Sequence, residues 1–141
     1  MMNVPTVTQL AVFVENRAGR LTEICELLGE AGINILAFSI ADSAEYGIFR
    51  ILVEDAGRAA QLLRDAHFTV SRREVLCVDV PHRPGGLAHV LGLLSEAGIN
   101  VEYMYVAANT LIVLNVEALE DAARLLADNG IELKTIEELA G

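Results

Sequence analysis

Two loops of this 141-residue chain carry residues able to hold a small charged molecule. They read Glu15-Asn16-Arg17-Ala18-Gly19-Arg20-Leu21 and Pro81-His82-Arg83-Pro84-Gly85-Gly86-Leu87. Glycine lets the backbone turn tightly, and with no Cβ it lets a ligand reach peptide N–H groups. An apolar helical pattern starts just after each loop. Unsatisfied N–H donors and the positive end of a helix dipole gather there, a place suited to a carboxylate. Further on, the repeated stretch Glu-Ala-Gly-Ile-Asn ends in Asn34 and again in Asn100. Asparagine offers both a donor and an acceptor, which suits a zwitterion or a polar side chain. Loop and asparagine could therefore close on one small molecule. They also read more plainly, as a turn leading into a helix and an asparagine heading a strand. Spacing leaves both readings open.

Other chemistry finds little support. His67, His82 and His89 have no cysteine or carboxylate beside them at metal-ligand spacing, so neither a metal nor a cofactor is expected. Ser39, Ser43, Ser71 and Ser95 sit in strand or turn contexts without a nucleophile-elbow motif. The acid pairs Glu120-Asp121 and Glu137-Glu138 read as solvated helix ends. Tyr103, Met104 and Tyr105 read as core and interface packing on a strand where a ligand side chain could point. Cys25 and Cys77 are too few for a disulfide framework and read as small core hydrophobes.

The elements that must position these loops come in two copies. Residues 16–41 align with residues 82–107 without a gap, and eleven of those 26 positions are identical. Beyond a short deletion the offset drops from 66 to 63, and Ala59-Ala60 and Leu62-Leu63 match Ala122-Ala123 and Leu125-Leu126. This is an internal duplication. In the first copy, alternation over Gln9–Val14 predicts a strand, and Leu21, Ile24, Cys25, Leu28 and Ala31 form a helical stripe. Gly32 ends that helix with a residue able to take positive φ. Strands follow at 33–41, 48–53 and 68–72, with a turn at 42–47 and a helix at 56–66. The second copy predicts strands at 75–80, 99–107, 111–116 and 131–136, and helices at 87–97 and 119–129. Each copy reads βαββαβ, the ferredoxin-like arrangement of an antiparallel sheet with both helices on one face. The fold class is α+β, with units at 7–73 and 74–141. Barely two residues, Arg73-Glu74, separate them.

The totals narrow the partners. Twenty acidic residues against ten basic ones give a net charge of −10, which argues against nucleic-acid binding. No run approaches the roughly 18 apolar residues of a membrane span, and the start lacks the basic and apolar regions of a secretion signal. These features and the low cysteine count predict a cytoplasmic protein with no membrane partner. Apolar residues make up 53% of the chain, and Leu111–Val116 is apolar on both faces, so a homodimer or larger homo-oligomer is expected.

The pattern of Asn or His, Arg, Ala or Pro, then Gly-x-Leu, an apolar-rich helix and Gly-Ile-Asn, resembles the ACT domain. It occurs twice and covers nearly the whole chain. ACT domains are ferredoxin-like modules that bind amino acids and regulate metabolic enzymes. The resemblance implies a free amino acid held where two units meet, one unit's glycine loop facing the start of another unit's second strand. By position it assigns polar contacts to Asn16, Asn34, His82 and Asn100. Backbone contacts fall to Ala18, Gly19, Arg20 and Leu21, to Pro84, Gly85, Gly86 and Leu87, and to Ile35 and Val101. Arg20 standing opposite Gly86, and Asn16 opposite His82, make the two sites unequal. Arg20 could anchor an anionic group or be a solvated helix-start residue. The expectation is a non-catalytic amino-acid sensor, with a possible metabolic enzyme as partner. The alternative is a regulatory subunit or adaptor that needs no ligand. Acylphosphatases share the topology, and Arg17 or Arg20 with Asn34 could imitate their arginine and asparagine. Their longer phosphate cradle is missing here.

Overall fold

The computed structural model of the chain describes residues 4–15, 17–42, 45–108 and 110–141. It divides into two compact units, Thr8–Arg73 and Glu74–Leu139, the second also taking in the segment that ends at Val7. Both are α+β units of the βαββαβ kind.

The first unit uses β1 (Val7–Glu15), α1 (Arg20–Glu30), β2 (Ile35–Asp42), β3 (Tyr46–Val53), α2 (Ala56–Asp65) and the start of β4 (Thr69–Asp79). Strand order is β2-β3-β1-β4, with β3 antiparallel to both of its neighbours. Period-two alternation puts Leu10, Val12 and Val14 on one face, opposite Ile51, Phe49 and Gly47. The helices cover that face with Ile24, Leu28, Ala59, Ala60 and Leu63, all buried. Asp55 starts α2 by accepting a 3.1 Å hydrogen bond from the Arg58 N–H.

The second unit repeats this with the rest of β4, α3 (Gly86–Glu96), β5 (Val101–Ala108), β6 (Leu111–Val116), α4 (Leu119–Asp128) and β7 (Glu132–Lys134). Its order is β5-β6-β4-β7. Register follows the duplication: Leu10 pairs with Ile51 and Leu76 with Leu114, while Phe38 pairs with Ile51 and Met104 with Leu114. Val90, Leu94, Ala122, Ala123 and Leu126 fill the core where Ile24, Leu28, Ala59, Ala60 and Leu63 stand in the first unit.

All four long helices stop in the same way. Ile33, Phe68, Ile99 and Ile131 each donate a backbone hydrogen bond to the carbonyl five residues back, at 2.9–3.0 Å. The residue before each takes positive φ: Gly32, Gly98 and Gly130 as their type favours, and His67 at 72°. Each repeated stretch is thus a helix ending, with its asparagine the first residue beyond.

The structure corrects several details. The stripe on α1 is narrower than expected, because Leu21 and Cys25 are exposed and Leu27 turns inward instead. Only Cys77 is a core cysteine. The break expected at Arg73-Glu74 is absent: with no Gly or Pro there, β4 runs through it. The last strand shortens to Glu132–Lys134, because Thr135 starts a short helix, α5 (Ile136–Ala140), with a capping box formed with Glu138. Glu138 is therefore a capping residue. Val113 and Asn115 of β6, on the face expected to meet a partner, are buried within the single chain. Tyr103, Met104 and Tyr105 lie on β5, where none is fully buried. Among the described residues no helix is long and apolar enough to cross a membrane.

Candidate functional site

The two glycine loops have matching backbones. Gly19 and Gly85 stand at the N-terminal ends of α1 and α3 with φ of 89° and 83°, values that favour glycine. Arg17 N–H donates to the Glu15 carbonyl at 2.7 Å, and Arg83 N–H to the Pro81 carbonyl at 2.9 Å. Glu23 and His89 then donate to the carbonyls of Gly19 and Gly85, opening the helices. Among the described residues neither helix has a side-chain cap. Arg20 N–H turns back to the Arg17 carbonyl at 3.3 Å and Gly86 N–H to the Arg83 carbonyl at 2.9 Å, so the donors left for an outside acceptor are those of the residues that follow. Asn16, the polar side chain expected in the first loop, lies outside the described residues.

Within a unit the loop and the asparagine do not meet. Helix α1 has eleven residues, and at ~1.5 Å rise each it holds Gly19 and Asn34 roughly 16 Å apart along its axis. The same separation divides Gly85 from Asn100. Asn34 is exposed, with Ile35 beginning β2 beside it. Asn100 donates from Nδ2 to Glu117 Oε1 at 3.2 Å. With Val101, Leu91, Ser95 and Gly98 it lines an open hollow of about 400 Å³.

The side chains of the two loops part company. Arg20 folds back over the Phe68 ring, its guanidinium carbon 4.4 Å from the centroid. It pairs with Glu23 at 2.7 Å and lies 3.9 Å from Glu15, and its side chain is only 19% exposed. It is neither solvated nor reaching outward. Its buried Nε has no partner among the described residues. At the matching position Gly86 is buried, and a Cβ there would sit 1.9 Å from the Pro81 carbonyl oxygen. Ala18 and Pro84 are exposed on the loop tips. Leu21 is 37% exposed and Leu87 packs against the second core. His82 is exposed, and with Asp79, Thr110 and Glu132 it lines a hollow of about 370 Å³. Thr110 Oγ1 donates to Asp79 Oδ1 at 2.7 Å.

A third hollow, of about 240 Å³, opens beside the first loop between Val14, Glu15, Arg17, Leu21, Ile40, Gly47 and Phe49. Four of these, Val14, Ile40, Gly47 and Phe49, escape a reading by loop motif. Gly47 reads in the sequence as the end of the 42–47 turn, whereas it stands in β3 opposite Val14. Among the described residues no group of three His, Cys, Asp or Glu could hold a metal ion. Burial, helped by nearby Asp79, pushes the Cys77 thiol up to about 11.

Residues 5–140 match the family described as the ACT domain pair. Among solved structures, a protein from Bacteroides thetaiotaomicron is 37% identical, with 98% of each chain covered and a TM-score of 0.92. The ligand-free regulatory subunit of aspartate kinase from Thermus thermophilus is 16% identical, with 91% of this chain and 95% of its own covered and a TM-score of 0.65. The Thermus flavus counterpart is 15% identical, with 89% and 93% covered and a TM-score of 0.61. The two Thermus proteins show likeness of fold alone. No curated protein matches the chain. The chain belongs to the ACT domain pair family.

Proposed function

We propose that this protein is a non-catalytic regulatory sensor that binds a free amino acid at its glycine loops and passes the signal to a partner enzyme or to a second copy. The observation that carries this is the pair of uncapped helix N-termini, each opened by a glycine in the left-handed region. The N–H groups beyond Arg20 and Gly86 suit the carboxylate common to every amino acid. The ligand's ammonium meets the second-strand asparagine, Asn34 or Asn100, of another unit, which is why the effector bridges units. A bridging ligand shifts the balance between two arrangements by the difference of its affinities for them. The Thermus neighbours are named as regulatory subunits of aspartate kinase, which favours a metabolic enzyme as the partner. A thermal-shift screen of the twenty amino acids tests the reading. At about 100 times its Kd, a ligand adds roughly 2.7 kcal/mol, a clear rise in Tm. No shift with any amino acid would overturn it.

A second reading rests on the exposed apolar side chains of β2 and β5. Phe38 and Ile40 are 62% and 48% exposed, and at matching positions Met104 and Val106 are 42% and 62% exposed. Such strands suit an adaptor that grips another protein without a ligand. The adaptor keeps its partner when Gly19 or Gly85 is replaced by Asp, whereas the sensor loses its amino-acid response.

A further inference from the structure

We infer that the hollow beside the first loop is a pocket for an α-amino acid with an aliphatic side chain, one molecule per chain. This rests on the sensor reading above and names its ligand class. The space of about 240 Å³ lies below the ~300–1,000 Å³ of pockets for drug-sized molecules, the scale of one small molecule. Its floor and walls are Val14, Leu21, Ile40 and Phe49, an aliphatic and aromatic lining without a polar side chain. Charge is confined to Glu15 and Arg17, which bring an anion and a cation to the same hollow two residues apart. A zwitterion needs both signs at one end, and an apolar side chain needs neither at the other. Arg17 is exposed and makes no ion pair with any described residue, so its guanidinium is available to a carboxylate. The uncapped end of α1 adds N–H donors from Leu21 onward, the Arg20 N–H being taken by the Arg17 carbonyl.

Gly47 is what keeps the hollow open. It pairs with Val14 across the sheet, and a Cβ built on it would meet only Ile40 Cγ2, the Val14 carbonyl oxygen and the Ala41 carbonyl oxygen, at 3.9–4.0 Å. These are ordinary contacts, so the position tolerates a side chain in the strand and glycine is there for space, not for backbone freedom. The duplicated half differs at both decisive positions. Thr110 stands where Gly47 stands, its hydroxyl tied to Asp79, and Pro81 stands where Glu15 stands. That half lacks the open strand position, and the two carboxylates that line its hollow are engaged, Asp79 by Thr110 and Glu132 by Lys134 at 2.6 Å. This is why the stoichiometry is one per chain.

Isothermal titration of the full chain tests the inference, with leucine, isoleucine, valine, alanine, aspartate and lysine as ligands. Leucine or isoleucine should bind at one per chain and at least about tenfold more tightly than alanine, since each methylene in an apolar pocket counts for roughly tenfold or more. Gly47→Val should fill the hollow and abolish that binding while the circular dichroism spectrum and Tm stay near wild type. Arg17→Ala, at an exposed position that folding does not depend on, should weaken leucine binding at least tenfold. It stands as the test should Gly47→Val fail to fold. Leucine bound equally well by both variants would overturn the location. Aspartate or lysine bound in place of the aliphatic amino acids would overturn the ligand class and leave the sensor reading standing. Absence of binding by any amino acid would take down both.

Discussion

Gly86 and Arg20 occupy the same place in the duplicated loops and answer opposite demands. A Cβ on Gly86 would overlap the Pro81 carbonyl, and backbone cannot step aside as a flexible side chain can. Gly86→Ala should therefore cost about 1–3 kcal/mol, the usual scale of overpacking. Gly92, inside the same helix with nothing near its missing Cβ, is the control. Gly92→Ala should stabilise by about 0.5–1 kcal/mol through helix propensity. Urea denaturation of the two variants reads both signs. Cys77 makes a second test at this scale. Its thiol is raised to about 11 from an ordinary value of 9.0, so the unfolded chain ionises first as pH rises. The folded state then loses stability between about pH 9 and 11, by up to roughly 2–3 kcal/mol at ~1.4 kcal/mol per unit. Cys77→Ala should flatten that decline relative to wild type. A short pulse of iodoacetamide at neutral pH should label the exposed Cys25 and spare Cys77. Some of this was legible in the sequence. Glycine before a helical stripe announces a special backbone, and Gly19 and Gly85 have it. Arg20 was not legible, because the ring it stacks on belongs to Phe68, a residue remote in sequence that only the fold brings near.

At the scale of elements the duplication made the reading possible. Two copies of one pattern agree on where strands and helices fall, and both cores then match position by position. What escaped were continuations. Nothing in Arg73-Glu74 forces a turn, so β4 runs on, and nothing in the shared pattern foretold α5, which has no counterpart in the first half. The four helix endings show the duplication working as a device, with one flaw. Where Gly32, Gly98 and Gly130 take positive φ without strain, His67 takes it at a cost. His67→Gly should raise stability by about 1 kcal/mol, seen as a Tm increase of a few degrees. An unchanged or lower Tm would mean that the imidazole contributes more than the strain takes away. In α5 the Glu138 carboxylate accepts from the Thr135 N–H, and that bond, with Lys134 nearby, holds it below the ordinary carboxylate range. A depressed acid contributes above its unfolded value, and that contribution is lost as pH falls through the folded one. Fraying of α5, followed by amide exchange of Leu139, should therefore set in on acidification, and earlier in Thr135→Ala.

For the whole molecule the edge strands are where apolar surface is left uncovered. Phe38 and Ile40 on β2, and Met104 and Val106 on β5, face the helix side of their sheets beyond the cover the helices provide. Their repetition at equivalent places makes chance exposure a poor explanation. β2 pairs only with β3 and β5 only with β6, so among the described residues each has one side with backbone donors and acceptors unspent. A self-complementary edge is the natural seed of a two-fold dimer, and Lys on an edge strand opposes it. Phe38→Lys and Val106→Lys each remove an apolar contact that the monomer does not bury. If copies associate through these edges, at least one of the two should weaken the dimer tenfold or more in sedimentation equilibrium, with Tm of the monomer unchanged. Net charge sets the sign of a companion effect. Two chains of −10 repel, and this repulsion reaches about 30 Å at 0.01 M salt but only about 8 Å at 0.15 M. Association driven by apolar edges should tighten as salt rises across that range. Association that loosens with salt would instead place ion pairs at the contact, and the apolar edges would then belong to a different partner.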